Sequence, residues 1–250
     1  MFKKLVNRSL SILNLQLVRK SRFDEEKKVE PDPFVYFDFD LVFDVGANEG
    51  QYARSLRSKG FRKKIISFEP LPEAHQILNV KSQSDPLWVV HERVAIGARC
   101  GKSLLNISGN SMSSSILNML PTHLEAAPES RFVGVTPTDL ISLDSVFTSY
   151  VRDCLRVAVK IDTQGYEFEV ISGLVESLPR ISGCVLELST LPLYENERTY
   201  EWFFDFFKKN GFVLWSIKPG FNDCQSGRML QFDACFLKDK LVNCSARNES

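Results

Sequence analysis

A glycine turn, Asp44-Val45-Gly46-Ala47-Asn48-Glu49-Gly50, joins the apolar run Leu41-Val42-Phe43 to a helix-like segment, residues 52–59, stopped by Gly60. A strand passing through glycines straight into a helix points to a layered α/β fold. Glycine lets the backbone turn sharply and approach a ligand closely. The helix start offers free N–H groups. The turn has neither the G-x-G-x-x-G of the usual dinucleotide site nor the Gly-Lys-Ser/Thr of a P-loop, so a diphosphate ligand is not favoured.

The alternation continues along the chain. Residues 64–68 read as a strand, 72–80 as a helix and 87–96 as a third strand region. Residues 156–161 and 184–188 read as strands, with helices at 166–174 and 199–209. Residues 212–217 and 230–237 close the pattern as two strands. Strands separated by helices imply parallel pairing, and the short last connection implies an antiparallel pair. Residues 97–141 interrupt the pattern with a Ser-, Asn-, Gly- and Pro-rich stretch that includes Ser111-Met112-Ser113-Ser114-Ser115. It is expected to be part excursion strands and part substrate-side loop. The predicted domain runs over 34–240, with 97–141 as its insertion and 241–250 as a tail.

Lys+Arg and Asp+Glu are 31 each, so the chain carries no global basic field and a nucleic-acid partner is not expected. No apolar run approaches the ~18 residues of a membrane span. The six cysteines show no C-x-x-C spacing and are expected to be mostly buried thiols in a reducing compartment. Residues 1–22 hold Lys3, Lys4, Arg8, Arg19, Lys20 and Arg22, no acid, and an apolar stripe at helical spacing. Two readings of this segment stand: a helix lying on an anionic membrane surface, or a helix packed on the domain or a frayed end. The charged stretch to residue 33 reads as a linker. The expected location is cytoplasmic, with association at the cytoplasmic membrane face under the first reading.

Four carboxylates, Asp44, Glu69, Asp162 and Glu187, gather at predicted strand ends. Glu69, in Phe68-Glu69-Pro70, lies 25 residues after Asp44. In a doubly wound sheet an acid there can accept both ribose hydroxyls of a nucleoside; the plain alternative is an exposed strand-end carboxylate. Asp162 ends the strand of Val159-Lys160-Ile161-Asp162-Thr163-Gln164-Gly165-Tyr166-Glu167. It is read as a partner for a cationic group, a base, or the N-cap of the next helix. Glu187 ends the following strand at the same rim. Asp44, Glu69 and Asp162 are all expected to project from this edge.

Together these segments resemble the S-adenosylmethionine-dependent methyltransferases of the FkbM family. The matching stretches are FDVGANEGQYA, ISFEP, VAIG, LISLDSV, VKIDTQGYEFEVISG and LELS, in that order. The resemblance implies a Rossmann-like fold with a mostly parallel seven-stranded sheet, its last strand antiparallel, and helices on both faces. It implies S-adenosylmethionine as cofactor and O-methylation of sugars, glycolipids or related metabolites. Under it, Asp44, Gly46 and Gly50 form the methionine-side loop, with Asn48 among the cofactor contacts. Glu69 holds the ribose with Pro70 beside it, Ala95 and the turn after Ile96 flank the adenine, and Asp162 sits near the methyl group.

Acceptor hydroxyls are weakly acidic, so a general base helps as the new bond forms. Asp162, Glu187 and His123 are the candidates; His123, in the insertion, is read either as swung over the site or as merely solvated. No metal is demanded. A different class of function is an inactive nucleoside-binding module in a glycan-assembly complex. An N- or nucleic-acid methyltransferase is disfavoured, because the Asn/Asp-Pro-Pro-Tyr/Phe segment is replaced by Asp162-Thr163-Gln164-Gly165.

Overall fold

The computed structural model describes residues 31–152, 154 and 156–246. The chain divides into two units, 1–32 and 33–250. The basic segment 1–22 and most of the linker lie outside the described residues.

The second unit begins with α1 (Pro33–Tyr36), β1 (Leu41–Val45), α2 (Gln51–Ser58), β2 (Lys64–Phe68), α3 (Pro72–Ser82) and β3 (Trp88–Val90). Then come β4 (Ala95–Ile96), β5 (Gly101–Ser108), α4 (Pro121–Ala126), β6 (Phe132–Ile141) and α5 (Leu143–Tyr150). The chain continues through β7 (Val157–Ile161), α6 (Glu167–Ser172), β8 (Ile181–Ser189) and α7 (Tyr200–Lys209). It closes on β9 (Phe212–Pro219), β10 (Gln231–Lys238) and α8 (Asp239–Ala246).

Seven strands form one sheet in the order β3-β2-β1-β7-β8-β10-β9. All pairs from β3 to β8 are parallel, and β10 is antiparallel to both β8 and β9. The chain leaves β1 toward β3 and later returns to β1's other side at β7. That reversal opens a crevice at the carboxyl ends of β1 and β7, where open α/β sheets bind ligands. Strands β1 and β7 are buried along their whole length. One face of the sheet packs Phe43, Ile66 and Val159 against Phe147, Val170 and Phe207. The other packs Val42, Ile65 and Ala158 against Leu56 and Leu78. Helices therefore cover both faces, as near-continuous apolar strands require.

Two readings change. The expected strand region 87–96 is split: 88–90 joins the large sheet, whereas 95–96 pairs with β6 in a separate three-stranded sheet ordered β4-β6-β5. The insertion is consequently built around the β5–β6 hairpin, with α4 between its strands. Of the six cysteines only Cys184 and Cys235 are buried, while Cys154 is half-buried and Cys100, Cys224 and Cys244 are exposed. The sheet interior had room for two; the others sit on loops and the last helix.

Candidate active site

The site starts from a row of polar residues across an apolar sheet. Strand register sets Asp44 beside Ser67 on one side and Lys160 on the other. Trp88 Nε1 donates to Ser67 Oγ (2.9 Å), and Ser67 Oγ donates to Asp44 Oδ2 (3.3 Å). Lys160 Nζ lies 3.4 Å from Asp44 Oδ1 and 3.3 Å from Asp162 Oδ2, and donates to the Gly46 carbonyl (3.1 Å). Burial raises the Asp44 carboxyl above its ordinary range, with Lys160 opposing it. Asp162 and Asp44 hold the Lys160 ammonium charged, above the usual lysine range and against the effect of its burial. The lysine thus ties the first strand, the glycine turn and the loop after β7 into one unit.

The two glycines of the turn are required by the protein's own packing. Gly46 has φ +72°, and a Cβ there would lie 1.8 Å from the Asp162 carbonyl oxygen. Gly50 has φ +84°, and its Cβ would strike the Trp88 ring at 2.6 Å. Both conformations disfavour any L side chain. Gly46 lines the cavity described below; Gly50 and Asp44 do not. Asp44 is fully buried within β1 and does not project from the sheet edge as expected. Its position in a strand covered on both sides turns its side chain toward Lys160.

Glu69, 4% exposed, is held just past β2. Its Oε2 accepts the Asn48 N–H (2.6 Å) and its Oε1 the Leu71 N–H (2.8 Å). It is therefore not a solvent-exposed strand-end acid. Desolvation raises its pKa to about 7, despite those bonds. Each carboxylate oxygen has more than one acceptor direction, so capacity remains for further donors. Asn48 adopts a left-handed φ of 47°, which directs its N–H to the carboxylate.

A cavity of about 500 Å³ opens over these groups. Its floor at one end is apolar: Phe68, Pro70, Leu71, Val94, Ala95 and Ile96. Gly46, Asn48, Glu69, Lys160 and Asp162 line the middle. At the other end stand Glu187, Gln231, Asp233, Met112, His123 and Phe221. Gln164 organises that end. Its Nε2 donates to Asp162 Oδ1 (2.9 Å) and Glu187 Oε2 (2.6 Å), and its Oε1 accepts the buried Tyr194 hydroxyl (3.0 Å). Asp162 is thus engaged by Lys160 and Gln164 and does not cap α6, whose N-cap is Tyr166 without a side-chain bond. Burial and the neighbouring carboxylates raise the Glu187 pKa well above the ordinary value.

His123 is not a solvated loop residue, and it lines the cavity. It lies in α4, 2% exposed, its ring 5.3 Å from Tyr194 and 5.4 Å from Phe221. Its Nδ1 is buried without a partner, and burial lowers its pKa. The serine-rich wall beside it is ordered by Asn110: Nδ2 donates to Ser113 Oγ (3.1 Å) and Ser130 Oγ (2.9 Å), and Oδ1 accepts the Ser113 N–H (3.0 Å).

The methyltransferase FkbM domain model matches residues 44–214, which span the glycine turn, Glu69, the insertion, Asp162 and Glu187. The chain belongs to the FkbM methyltransferase domain family. It is an S-adenosylmethionine-dependent methyltransferase, and S-adenosylmethionine is its cofactor. No curated protein matches the sequence. Among solved structures, a candidate S-adenosylmethionine-dependent methyltransferase of Listeria monocytogenes is 10% identical, with TM-score 0.46, over 87% of this chain and 97% of its own. A precorrin-6y C5,15-methyltransferase of Geobacter metallireducens is 12% identical, with TM-score 0.41, over 85% and 92%. A Streptococcus pneumoniae protein solved with S-adenosyl-L-methionine is 11% identical, with TM-score 0.43, over 80% and 66%.

The residues present suit this cofactor. A buried carboxylate with spare acceptor capacity faces the space a ribose diol needs. The apolar floor beside it offers a flat ring a dry surface. The glycines and strand-end acids show in the sequence, whereas Lys160, Gln164, Gln231 and Asp233 join the site only through the fold. Lys160 carried a signal, since a lysine inside the apolar run Val157–Ile161 needs buried acids around it.

Proposed function

We propose that this methyltransferase acts on a hydroxyl oxygen of a sugar, glycan or related metabolite. The observation that carries the reading is the free edge of Glu187. Its Oε2 accepts the amides of Gln164 and Gln231 (2.6 and 3.1 Å), while no bond to Oε1 is present among the described residues. The amides fix the carboxylate in the cavity with one oxygen open to an acceptor. Burial makes Glu187 a better proton acceptor than an ordinary carboxylate.

When bound, S-adenosylmethionine supplies a methyl group already activated on a sulfonium. The chain's contribution is then positioning and proton removal. Glu69 would accept the ribose hydroxyls, and the Gly46 loop, held by Lys160, would border the cofactor. Asp162 orients the groups near the methyl. Glu187 would take the acceptor hydroxyl's proton as the methyl–sulfur bond breaks and the new C–O bond forms, leaving S-adenosylhomocysteine. His123, kept neutral by burial, packs the acceptor end. Met112 and Phe221 offer an apolar face and Asn110 a polar wall, a mixture suited to a ring carrying hydroxyls.

The test is incubation with methyl-labelled S-adenosylmethionine and a fractionated extract of the source cell, then identification of the labelled product. A labelled methyl ether is expected. A labelled N-methyl amine or methylated nucleic acid overturns the reading.

A further inference from the structure

His123 lines the cavity with 2% of its surface exposed, and its Nδ1 is buried without a hydrogen-bond partner among the described residues. No other residue lining the cavity carries such an atom. A buried polar atom keeps its desolvation cost until a partner arrives. Burial holds the ring neutral, so with its proton on Nε2 the ring presents Nδ1 as an acceptor.

A count of protons on the neighbouring wall gives the complement. Asn110 Nδ2 has two protons, one for Ser113 Oγ (3.1 Å) and one for Ser130 Oγ (2.9 Å). The two serine oxygens lie 3.1 Å apart, so one hydroxyl donates to the other. The second hydroxyl proton then has no acceptor among the described residues. Both serines are buried and line the cavity. Tyr194 gathers these groups. Its ring lies 5.3 Å from that of His123, and its hydroxyl is shared between the Ser113 carbonyl (3.2 Å) and Gln164 Oε1 (3.0 Å). Gln164 in turn holds Glu187.

We infer that His123 Nδ1 and the Ser113–Ser130 pair form a subsite for a second hydroxyl of the methyl acceptor, so that the substrate is a polyol. A hydroxyl donates one proton, here to Nδ1, and accepts another, here from serine. An ammonium only donates and would leave the serine proton idle; a carboxylate only accepts and would leave Nδ1 idle. The inference rests on the proposed hydroxyl methylation and deepens it: one hydroxyl faces Glu187 and another anchors the ring. His123 is thereby a binding residue and not the base.

The experiment is nitrogen NMR of the full chain labelled with ¹⁵N-histidine and saturated with S-adenosylhomocysteine. The chain has three histidines, so His123→Asn assigns the signal. The probes are methyl glucoside, methyl mannoside, L-rhamnose and myo-inositol, with acetate and ethylammonium as acceptor-only and donor-only controls. At least one polyol is expected to move the Nδ1 resonance to lower frequency, as hydrogen bonding to a lone pair does, and neither control is. His123→Phe is expected to weaken that polyol roughly fivefold. His123→Asn, which keeps an acceptor near the place of Nδ1, is expected to recover most of the loss. Both variants should bind S-adenosylhomocysteine as the parent does. An Nδ1 resonance that no polyol moves, or that a control moves as far, overturns the subsite. So does equal polyol affinity in His123→Phe, an asparagine variant no better than the phenylalanine one, or loss of S-adenosylhomocysteine binding in both. The labelled-product assay reads methyl transfer to oxygen separately, so the two readings can fail apart.

Discussion

Replacing Lys160 with methionine probes how the cofactor loop is held. Its ammonium lies 3.4 Å from Asp44, which is fully buried, and 3.1 Å from the Gly46 carbonyl oxygen. Removing one partner of a buried pair leaves an uncompensated charge, a loss of about 3–5 kcal/mol. The link to Asp162 adds little, because that carboxylate is 36% exposed and water screens it. Asp44 can escape by taking up a proton, since burial already raises its pKa. Lys160→Met should therefore lose less stability near pH 5 than near pH 8. Adding Asp44→Asn should restore most of the stability, because the amide stays bonded to Ser67 and carries no charge. The double variant should still bind S-adenosylmethionine weakly, since nothing donates to Gly46. Urea unfolding at the two pH values, with calorimetry on each variant, measures all three effects. A Lys160→Met protein as stable as the parent at pH 8, or a double variant no better than the single, refutes the reasoning.

Glu69 and Glu167, with pKa values raised by burial to about 7 and about 8, hold protons in the fold that the unfolded chain has released. Their contribution to stability therefore falls as pH rises toward and through those values, together by about 2 kcal/mol between pH 6.5 and 8; a urea midpoint that does not fall over this window contradicts the assignment. Gly46→Val should destabilise the fold by more than a surface turn substitution does, because its side chain meets the Asp162 backbone; an unchanged melting temperature would show that the loop relaxes freely. For residues 1–22, the full chain should co-sediment with anionic liposomes at low salt more than a chain starting at Phe23, at roughly 1 kcal/mol per basic residue. Equal partitioning of the two removes the membrane role.

The sheet was legible because its strands are short apolar runs between glycines and helices, a pattern set locally by backbone sterics and burial. The split between β3 and β4 was not, since 87–96 is continuous in apolar character and only long-range pairing separates it. Glu69 and Asp162 showed themselves by position at strand ends. Asp44 looked the same but is turned inward by Lys160, whose role depends on side-by-side register. Gln231 and Asp233 become site residues only through antiparallel register with β8, which local sequence does not encode. His123 looked like a loop residue, because the aromatic contacts that bury it come from Tyr194 and Phe221, distant in sequence.

The central claim is that this cavity binds S-adenosylmethionine with Glu69 on its ribose. Calorimetric titration of S-adenosylmethionine into the parent chain and into Glu69→Ala tests it most directly. At pH 8, where Glu69 is ionised, charge-assisted hydrogen bonds contribute about 1.5–3 kcal/mol each, so the variant should bind at least about tenfold more weakly while melting cooperatively. No binding to the parent chain, or the same affinity in both proteins, would contradict the account.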